Sequence, residues 1–351
     1  MRKLKVGIIG LKFGLSCHLP AFKKNNKCKV IALCSENLNK VKLSAKKNNI
    51  PYFFDKWKQM LDNLDFDLIS IAVPPLKQEK IINYCLKKSI PIFAEKPLAV
   101  NINTVKKIFN LQKKLKIPCV IDFEFPEIDE FIIAKKILDS KKFGSIQNIN
   151  IDLHYQSYTN YLKENSWKNN FNIGGGILNN VVPHIFYYIE WFFEPITFIS
   201  AFLFSEKNYK FSGYTNAIIL MKFSSGAQGT INASNNTIGV NEHIINFSND
   251  KGFIMLEAKD KDKDWITGFK VYAIDNKKLI KKRIFLKKKK INKNYDTRIY
   301  PVSKIINRLV DSIFSKKETF PNFKAGYRTQ YLVENAIKSH KYKSKWIKLQ
   351  N

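Results

Sequence analysis

The pair of residues with the clearest chemical potential is Glu95-Lys96, which stands between an apolar run and a proline. The run Pro91–Ala94 has the length of a buried parallel strand, and Pro97 cannot donate a hydrogen bond to a neighbouring strand. The sequence therefore predicts a strand that ends at Lys96. Open α/β sheets bind ligands at the carboxyl ends of their strands, so an ammonium group here could polarise a bound oxygen atom. An ordinary surface lysine is the alternative, but the strand end and the proline favour the functional interpretation.

A second pattern, close to the N-terminus, has the features of a dinucleotide-binding turn. Leu4–Gly10 is predicted to be a buried strand that ends in glycine, and Phe13 and Gly14 precede a helix. This order of strand, turn and helix N-terminus is the usual binding site of a pyrophosphate. The full G-x-G-x-x-G pattern is not present, since Lys12 and Leu15 occupy two of its glycine positions. Lys12 could contact a phosphate or crowd the turn, and both interpretations stay open.

The residue that contacts the adenosine ribose should follow the second strand, which is predicted at Val30–Cys34. Ser35 and Glu36 come next, with Lys40 and Lys42 nearby. An acid at this distance from the glycine turn normally binds the ribose hydroxyls and favours NAD. A serine supported by lysines would instead accept the phosphate of NADP, so the sequence does not decide between the two cofactors.

Strands and helices alternate through the first third of the chain. Further strands are predicted near Tyr52–Phe54, Phe66–Val73 and Ile117–Phe125, and helices near Gln78–Lys88 and Thr104–Lys114. Alternation of this kind is typical of a doubly wound parallel sheet. Asp122 and Glu124 would share one face of the last strand, where they could contact nicotinamide or substrate, or form an inter-domain salt bridge.

Composition excludes several other classes of protein. The formal charge is +31, but only five of the 60 basic residues are arginine, so we attribute the charge to an AT-rich genome and expect no specific nucleic-acid binding. The five cysteines are odd in number and have no CxxC spacing, which indicates reduced core thiols and no zinc site. The early first strand leaves no room for a signal peptide, and no apolar run could span a bilayer, so we expect a cytoplasmic protein without membrane contact.

Several short motifs, in order along nearly the whole chain, resemble the glucose–fructose oxidoreductase/inositol dehydrogenase/MocA (Gfo/Idh/MocA) family. They are residues 4–9, His18-Leu19-Pro20-Ala21, Ala72-Val73-Pro74-Pro75, Glu95-Lys96-Pro97, Phe143-Gly144-Ser145-Ile146, Trp167-Lys168, Gly174-Gly175-Gly176, Ala336, Ser339 and Trp346. The resemblance implies an N-terminal Rossmann domain over 1–123. It also implies a C-terminal α+β domain over 124–351, built on a large open, mostly antiparallel sheet.

The second half of the chain fits that expectation. Strands are predicted at Ile146–Tyr155, Ala217–Phe223, Ala227–Ala233, His243–Phe247, Gly252–Glu257 and Lys270–Ile274. Apolar strands with few helices to cover them leave one sheet face bare, so we expect a homodimer or homotetramer through that face. The basic residues around Ile284-Phe285-Leu286 indicate a solvated edge strand.

Family resemblance further implies an NAD(P)-dependent oxidoreductase that transfers a hydride between nicotinamide and a sugar, cyclitol or nucleotide-sugar. The resemblance also suggests a role in surface-polysaccharide synthesis. The predicted cofactor-binding residues are Gly10, Lys12, Phe13, Gly14, Ser35, Glu36, Val73, Pro74, Glu95 and Lys96. The predicted catalytic residues are Lys96, His184 and Asn180, and no metal is expected. His18 is expected to be structural, and His154 solvated or packed.

This chain departs from the family's G-G-G-x-L-x-D-x-G-x-H signature at two positions. Asn180 replaces the aspartate and Val182 replaces the later glycine, where we expect added bulk near the cofactor. Asparagine cannot take a proton, so the acid–base role falls to His184, four residues later on the same helical face. With Lys12 and Leu15, these departures motivate an alternative function, a catalytically silent relative that acts as a cofactor- or sugar-binding or assembly subunit.

Overall fold

The computed structural model describes residues 2–206, 209–259, 265–275, 281–284 and 296–350. The chain divides into two compact units. The first unit contains residues 1–124 and 291–328, and the second contains residues 125–290 and 329–351.

Residues 2–124 form a six-stranded parallel sheet with helices between its strands. Strands β1–β6 are Leu4–Ile9, Cys28–Cys34, Tyr52–Phe54, Leu68–Ile71, Ile92–Ala94 and Cys119–Ile121. Helices α1–α5 are Leu19–Lys23, Leu38–Asn48, Trp57–Asn63, Pro75–Lys87 and Ile102–Leu115, and a π-helical turn spans Gly14–His18. The strand order is β3-β2-β1-β4-β5-β6, which confirms the predicted Rossmann sheet and places its switch point between β1 and β4.

The rest of the chain adds seven helices and nine strands within the described residues. Helices α6–α12 are Asp129–Asp139, Tyr158–Tyr161, Ile177–Asn180, Val182–Phe192, Trp265–Gly268, Ile299–Ser315 and Phe323–Lys341. Strands β7–β15 are Ile146–Gln156, Ile196–Phe204, Asn216–Phe223, Gln228–Ser234, Asn236–Asn249, Gly252–Ala258, Lys270–Asp275, Lys281–Ile284 and Ile347–Lys348. Short 3₁₀ turns lie at Phe125–Glu127, Trp167–Asn169 and Phe171–Ile173.

The nine strands of the second unit form one sheet in the order β14-β13-β12-β11-β7-β10-β9-β8-β15. Strands β7 and β10 pair in parallel, and the other described pairs are antiparallel, so the predicted mostly antiparallel sheet is confirmed. Apolar side chains from α6, α9 and α12 pack with one face of the sheet in a continuous core. Strand β14 lies at the sheet edge, as predicted, while residues 285–290 lie outside the described residues.

The long helix α11 belongs to the first unit, although the sequence-based division assigned it to the second domain. Its buried side chains pack with β1, β2 and the first helix; they are Ile299, Val302, Ile305, Ile306, Leu309 and Val310. Each buried aliphatic side chain of this kind contributes about 1.5–3 kcal/mol. The spacing of these residues identifies an amphipathic helix but not the sheet that it covers, and the sequence therefore could not place it.

Several strands differ from the predictions. Strand β5 ends at Ala94, two residues before Lys96, and β4 is limited to Leu68–Ile71. Strand β6 ends at Ile121, because the chain turns into the 3₁₀ turn at Phe125–Glu127, so Asp122 and Glu124 do not share a strand face. Strand β8 was not predicted, since a continuous apolar run does not distinguish a strand from a buried helix. No described helix is both long and apolar enough to cross a bilayer.

Candidate active site

The carboxyl ends of β1, β2 and β4 bring together several residues predicted to bind the cofactor. Gly10 follows β1, Ser35 follows β2, and Val73 and Pro74 follow β4. The Gly10 N–H donates to the carbonyl oxygen of Cys34 over 2.9 Å, which joins two of these strand ends. These residues therefore line one edge of the sheet, on the side where Rossmann domains bind dinucleotides.

Position 10 requires a glycine, because of its own backbone conformation and the backbone that lies close to it. Its φ is +108°, and a Cβ atom there would lie 2.1 Å from the carbonyl oxygen of Ala72. A side chain would thus meet both a left-handed backbone conformation and a backbone clash. The absence of a side chain lets the turn after β1 approach the end of β4 closely.

The two departures from the glycine pattern do not fill this turn. Lys12 is exposed, and Leu15 packs against the apolar core of the first unit. Phe13 lies beneath Arg298, whose guanidinium carbon is 4.4 Å from the ring centroid. Asp296 holds that guanidinium through hydrogen bonds of 2.9 and 2.7 Å. Arg298 was not among the residues predicted from the sequence. Its rarity was an available signal, because the chain has only five arginines.

Glu36 is exposed and forms an ion pair with a lysine that sequence analysis did not consider. The Nζ atom of Lys77, on α4, lies 2.6 Å from both carboxylate oxygens of Glu36. An exposed pair of this kind contributes little to stability. It places a positive charge beside the acid expected to bind the ribose, so the structure leaves the choice between NAD and NADP open.

Lys96 lies two residues beyond β5 in a cluster of buried ionisable groups. His18 Nε2 is 3.1 Å from Glu95 Oε1 and 3.7 Å from Asp122 Oδ2, and His18 Nδ1 is 2.8 Å from Ser70 Oγ. Both His18 and Asp122 are almost completely buried. The cluster therefore joins the turn after β1 to the ends of β4, β5 and β6.

Burial and neighbouring charges shift the titration of this cluster. Burial raises the pKa of Asp122 to about 7 and the pKa of Glu124 to about 8, and nearby carboxylates add to both shifts. Burial lowers the pKa of the Lys96 ammonium, while Glu95, Glu124 and Asp122 oppose that effect. A lysine in this setting is a hydrogen-bond donor whose charge depends on its neighbours.

The backbone around Lys96 is held by Gln78, another residue that sequence analysis missed. The side-chain amide of Gln78 donates to the carbonyl oxygen of Glu95 over 2.5 Å and to that of Pro97 over 2.8 Å. Gln78 is fully buried, and the Lys96–Pro97 peptide bond is cis. The carbonyls on both sides of Lys96 thus share one donor, which fixes the position of its backbone.

In the second unit, Asn180 and His184 do not lie on one continuous helix, contrary to the prediction. Helix α8 ends at Asn180, Val181 has φ −121° and ψ −44°, and α9 begins at Val182. The break invalidates the argument that four-residue spacing places both side chains on one face. Asn180 Nδ2 instead donates to the carbonyl oxygen of Lys168 over 2.7 Å and holds the preceding loop.

The triple glycine has a structural explanation within the second unit. A Cβ atom on Gly175 would lie 2.3 Å from the carbonyl oxygen of Trp167, and one on Gly176 would lie 2.8 Å from the amide nitrogen of Tyr214. Two backbone segments therefore approach the glycines more closely than any side chain allows. Gly176 is also the N-cap residue of α8.

His184 lies in the first turn of α9 and is 7% exposed. Its ring packs edge-on against Phe125, with the centroids 5.3 Å apart. Val182 is fully buried in the core of the second unit, and the expected bulk near the cofactor stays a prediction. His154 is partly buried on β7, in agreement with the packed alternative.

Metal-type donors converge at one place in the part of the chain that the structure describes. The donor atoms of His18, Glu95 and Asp122 lie within 4.8 Å of one another. The 3.1 Å separation of His18 Nε2 and Glu95 Oε1 is that of an ordinary hydrogen bond. The expected absence of a metal remains a prediction.

Comparisons with known proteins agree with this architecture. Residues 4–123 match the model of an oxidoreductase family with an NAD-binding Rossmann fold, and residues 131–255 match the GFO/IDH/MocA C-terminal domain. An uncharacterized oxidoreductase of Synechocystis is 23% identical over 98% of this chain and 95% of its own length.

Two solved structures illustrate the similarity of fold. Levoglucosan dehydrogenase, in complex with NADH and levoglucosan, has a TM-score of 0.87 at 16% identity, and the match covers all of both chains. An oxidoreductase from Agrobacterium radiobacter, in complex with NAD⁺, L-tartaric acid and magnesium, has a TM-score of 0.83 at 17% identity over 99% of this chain and 98% of the other. The predicted enzyme class and the nicotinamide cofactor class are confirmed by the family matches, and the chain is an oxidoreductase of the Gfo/Idh/MocA family.

Proposed function

We propose that this enzyme transfers a hydride between a nicotinamide dinucleotide and a hydroxyl-bearing carbon of a sugar, a cyclitol or a nucleotide-sugar. The observation that carries the proposal is Lys96, which follows β5 at the ligand-binding edge of the sheet among three carboxyl groups. The similarity to levoglucosan dehydrogenase supports a sugar-type substrate. Nucleotide-sugars of surface-polysaccharide synthesis are the first compounds to test.

The residues at the sheet edge fit a dinucleotide. Gly10 keeps the turn close to β4, and the exposed Lys12 leaves the turn accessible. We assign Gly10, Lys12, Phe13 and Gly14 to the pyrophosphate, Ser35 and Glu36 to the adenosine ribose, and Val73, Pro74, Glu95 and Lys96 to the nicotinamide half. The nicotinamide, when bound, supplies or accepts the hydride.

The remaining task of the protein is to move one proton and to stabilise one developing charge. Lys96 donates a hydrogen bond to the reacting oxygen and stabilises its negative charge in the transition state. His184 takes the hydroxyl proton during oxidation, because a ring nitrogen of a neutral imidazole can accept a proton. Asn180 supports the loop at Lys168 and orients the substrate hydroxyl.

Steady-state kinetics with the preferred dinucleotide test these roles. Lys96→Met should lower kcat/KM by about 10²–10³-fold, since it removes a donor aimed at the developing charge. His184→Ala should lower kcat by about 10²–10⁴-fold with little change in dinucleotide affinity. Lys87→Met, on the exposed last turn of α4, is the matched control. Full activity of the Lys96 or the His184 variant would contradict the corresponding role.

A catalytically silent binding subunit is the second candidate, and Asn180 favours it, because asparagine cannot take the proton that the family's aspartate could. Fluorescence titration with NADH and NADPH, followed by a turnover screen of sugar-type substrates, separates the two candidates. Binding of either dinucleotide, together with turnover of any sugar-type substrate, supports the enzyme. Dinucleotide binding without turnover across the substrate screen supports the silent subunit.

The buried, unpaired cysteines fit the cytoplasmic location expected from the sequence.

We also propose self-association through the outer face of the second unit's sheet. Four large apolar side chains on β8 and β9 are exposed there; they are Phe202, Phe204, Ile218 and Leu220. The register places Phe202 directly opposite Ile218, so the four form one patch. Exposed apolar patches on a sheet face commonly mark interfaces.

A further inference from the structure

His18 occupies a position that its sequence context did not reveal. It is the last residue of the π-helical turn after β1 and has no exposed surface. The rings of Phe13 and Phe93 meet the imidazole edge-on, with centroid distances of 5.0 and 4.8 Å. This enclosure fixes the plane of the imidazole, so each ring nitrogen points at a defined partner.

Those partners come from two different strand ends. Nδ1 lies 2.8 Å from the hydroxyl of Ser70 on β4, and Nε2 lies 3.1 Å from the carboxylate of Glu95 after β5. A carboxylate can only accept hydrogen bonds, whereas a serine hydroxyl can accept or donate. The geometry therefore permits an imidazole that donates from both nitrogens.

The charge balance of the cluster favours that protonated form. Glu95 is only slightly exposed and directly precedes Lys96, and Asp122 lies 3.7 Å from the same Nε2 atom. Taking a carboxylate out of water costs several kcal/mol unless a cation and hydrogen bonds compensate it. The half-buried ammonium of Lys96 is one cation near Glu95, and an imidazolium at His18 would be a second in direct hydrogen-bond contact.

We propose that His18 is an imidazolium that holds the Glu95 carboxylate in place and thereby positions the ammonium group of Lys96. His18 is then a positioning residue, and it connects the cofactor-binding turn to the lysine. This inference rests on the role proposed above for Lys96. The charged and titratable groups around the cluster are Cys17, Glu95, Lys96, Asp122, Glu124, Asp296 and Arg298.

The neighbouring charges indicate how the cluster titrates. Glu95 and Asp122 outweigh the effect of burial and raise the pKa of His18 to about 9, and His18 in turn holds the pKa of Glu95 below its usual value. Protonated His18 should therefore persist through neutral pH. Removing the Glu95 charge should lower the pKa of His18, because burial then acts with less compensation.

Nuclear magnetic resonance of the ¹⁵N-histidine-labelled full-length protein tests the protonation state directly. The five histidines give five ring systems, and His18→Phe, which keeps a ring in the same enclosure, identifies the His18 signals. We expect both His18 nitrogens to be protonated at pH 7.5, and a fall of at least one pH unit in its titration midpoint in Glu95→Gln. A neutral His18 at pH 7.5 would overturn the proposal, as would one stoichiometric metal ion in the purified protein.

A kinetic measurement tests the link to Lys96. His18→Phe should lower kcat/KM by about 10- to 100-fold, since a small displacement of a reacting group can cost about 10²-fold. Dinucleotide affinity should change less than about threefold. The control is His243→Phe, at a buried histidine of the second unit that contacts Tyr188. Wild-type kcat/KM in His18→Phe would overturn the positioning role.

The two experiments separate failure of this inference from failure of the proposed function. If Lys96→Met keeps full activity, the role of Lys96 fails even when His18 titrates as an imidazolium. If Lys96→Met is inactive and His18 is neutral, the catalytic role stands and the inference about His18 fails. If His18→Phe does not fold, the wild-type titration and the Glu95→Gln shift still decide the protonation state.

Discussion

At the scale of single residues, burial and neighbouring charges shift the pKa values of carboxyl groups away from those that the residue types alone would suggest. Asp122 and Glu124 are buried acids with raised pKa values, while the pKa of Glu95, the residue directly before Lys96, is lowered. The difference follows from partners, since Glu95 accepts a hydrogen bond from His18. Neighbouring acids in one cluster therefore titrate over different pH ranges.

Stability should depend on pH with a sign that these groups determine. The pKa of Asp122 rises from about 3.9 in an unfolded chain to about 7 in the folded protein. The folded state thus binds the proton more tightly, and this contribution is lost as pH rises from about 4 to 7. We expect urea unfolding at pH 5 and pH 8 to show this loss, and Asp122→Asn to reduce it. An unchanged pH dependence in the variant would contradict the raised pKa.

Cofactor preference is a second property decided by single residues. At the proposed adenosine site, Glu36 would repel the additional phosphate of NADP, while its ion-pair partner Lys77 would attract it. We expect Glu36→Gln to improve NADPH binding relative to NADH by about tenfold, because the repulsive charge is removed and Lys77 is released. Parallel fluorescence titrations measure the ratio, with Lys77→Met as the opposite change. An unaltered ratio in both variants would remove these residues from the adenosine site.

At the scale of elements, the loop before α8 depends on backbone contacts that tolerate no side chain. Gly175→Ala should destabilise the protein by about 3 kcal/mol, since its Cβ atom would lie 2.3 Å from the Trp167 carbonyl oxygen. Gly226→Ala is the control, because Gly226 has φ +92° and no atom within 4 Å of its Cβ position. The control should lose about 1–2 kcal/mol from backbone strain alone. Equal losses in urea unfolding would show that the loop adjusts.

At the scale of the whole molecule, the exposed apolar face of the second sheet predicts self-association. Ile218→Glu places a charge at the centre of the patch and should convert a dimer or tetramer into monomers, as measured by light scattering at micromolar concentrations. Leu43→Glu, at an exposed leucine on α2, is the matched control and should not change the mass. A wild-type protein that is monomeric at these concentrations would contradict the proposal.

The sequence by itself determined the class of both sheets and the family. Apolar runs followed by glycine or proline identified most strands of the Rossmann sheet, since buried parallel strands are uniformly apolar. The Glu95-Lys96-Pro97 motif and the glycine turn then located the ligand-binding edge. These features are local in the chain, so their physical causes can be read from adjacent residues.

Only the tertiary structure decided which distant residues meet. His18, Ser70 and Asp122 are far apart in sequence, and their contact depends on the order of β1, β4, β5 and β6. The break at Val181, by contrast, has a local signal in the sequence, because Pro183 near the start of α9 has no backbone N–H to donate within a continuous helix. The pKa values follow from the same contacts, since burial and charge separation exist only after the chain has folded.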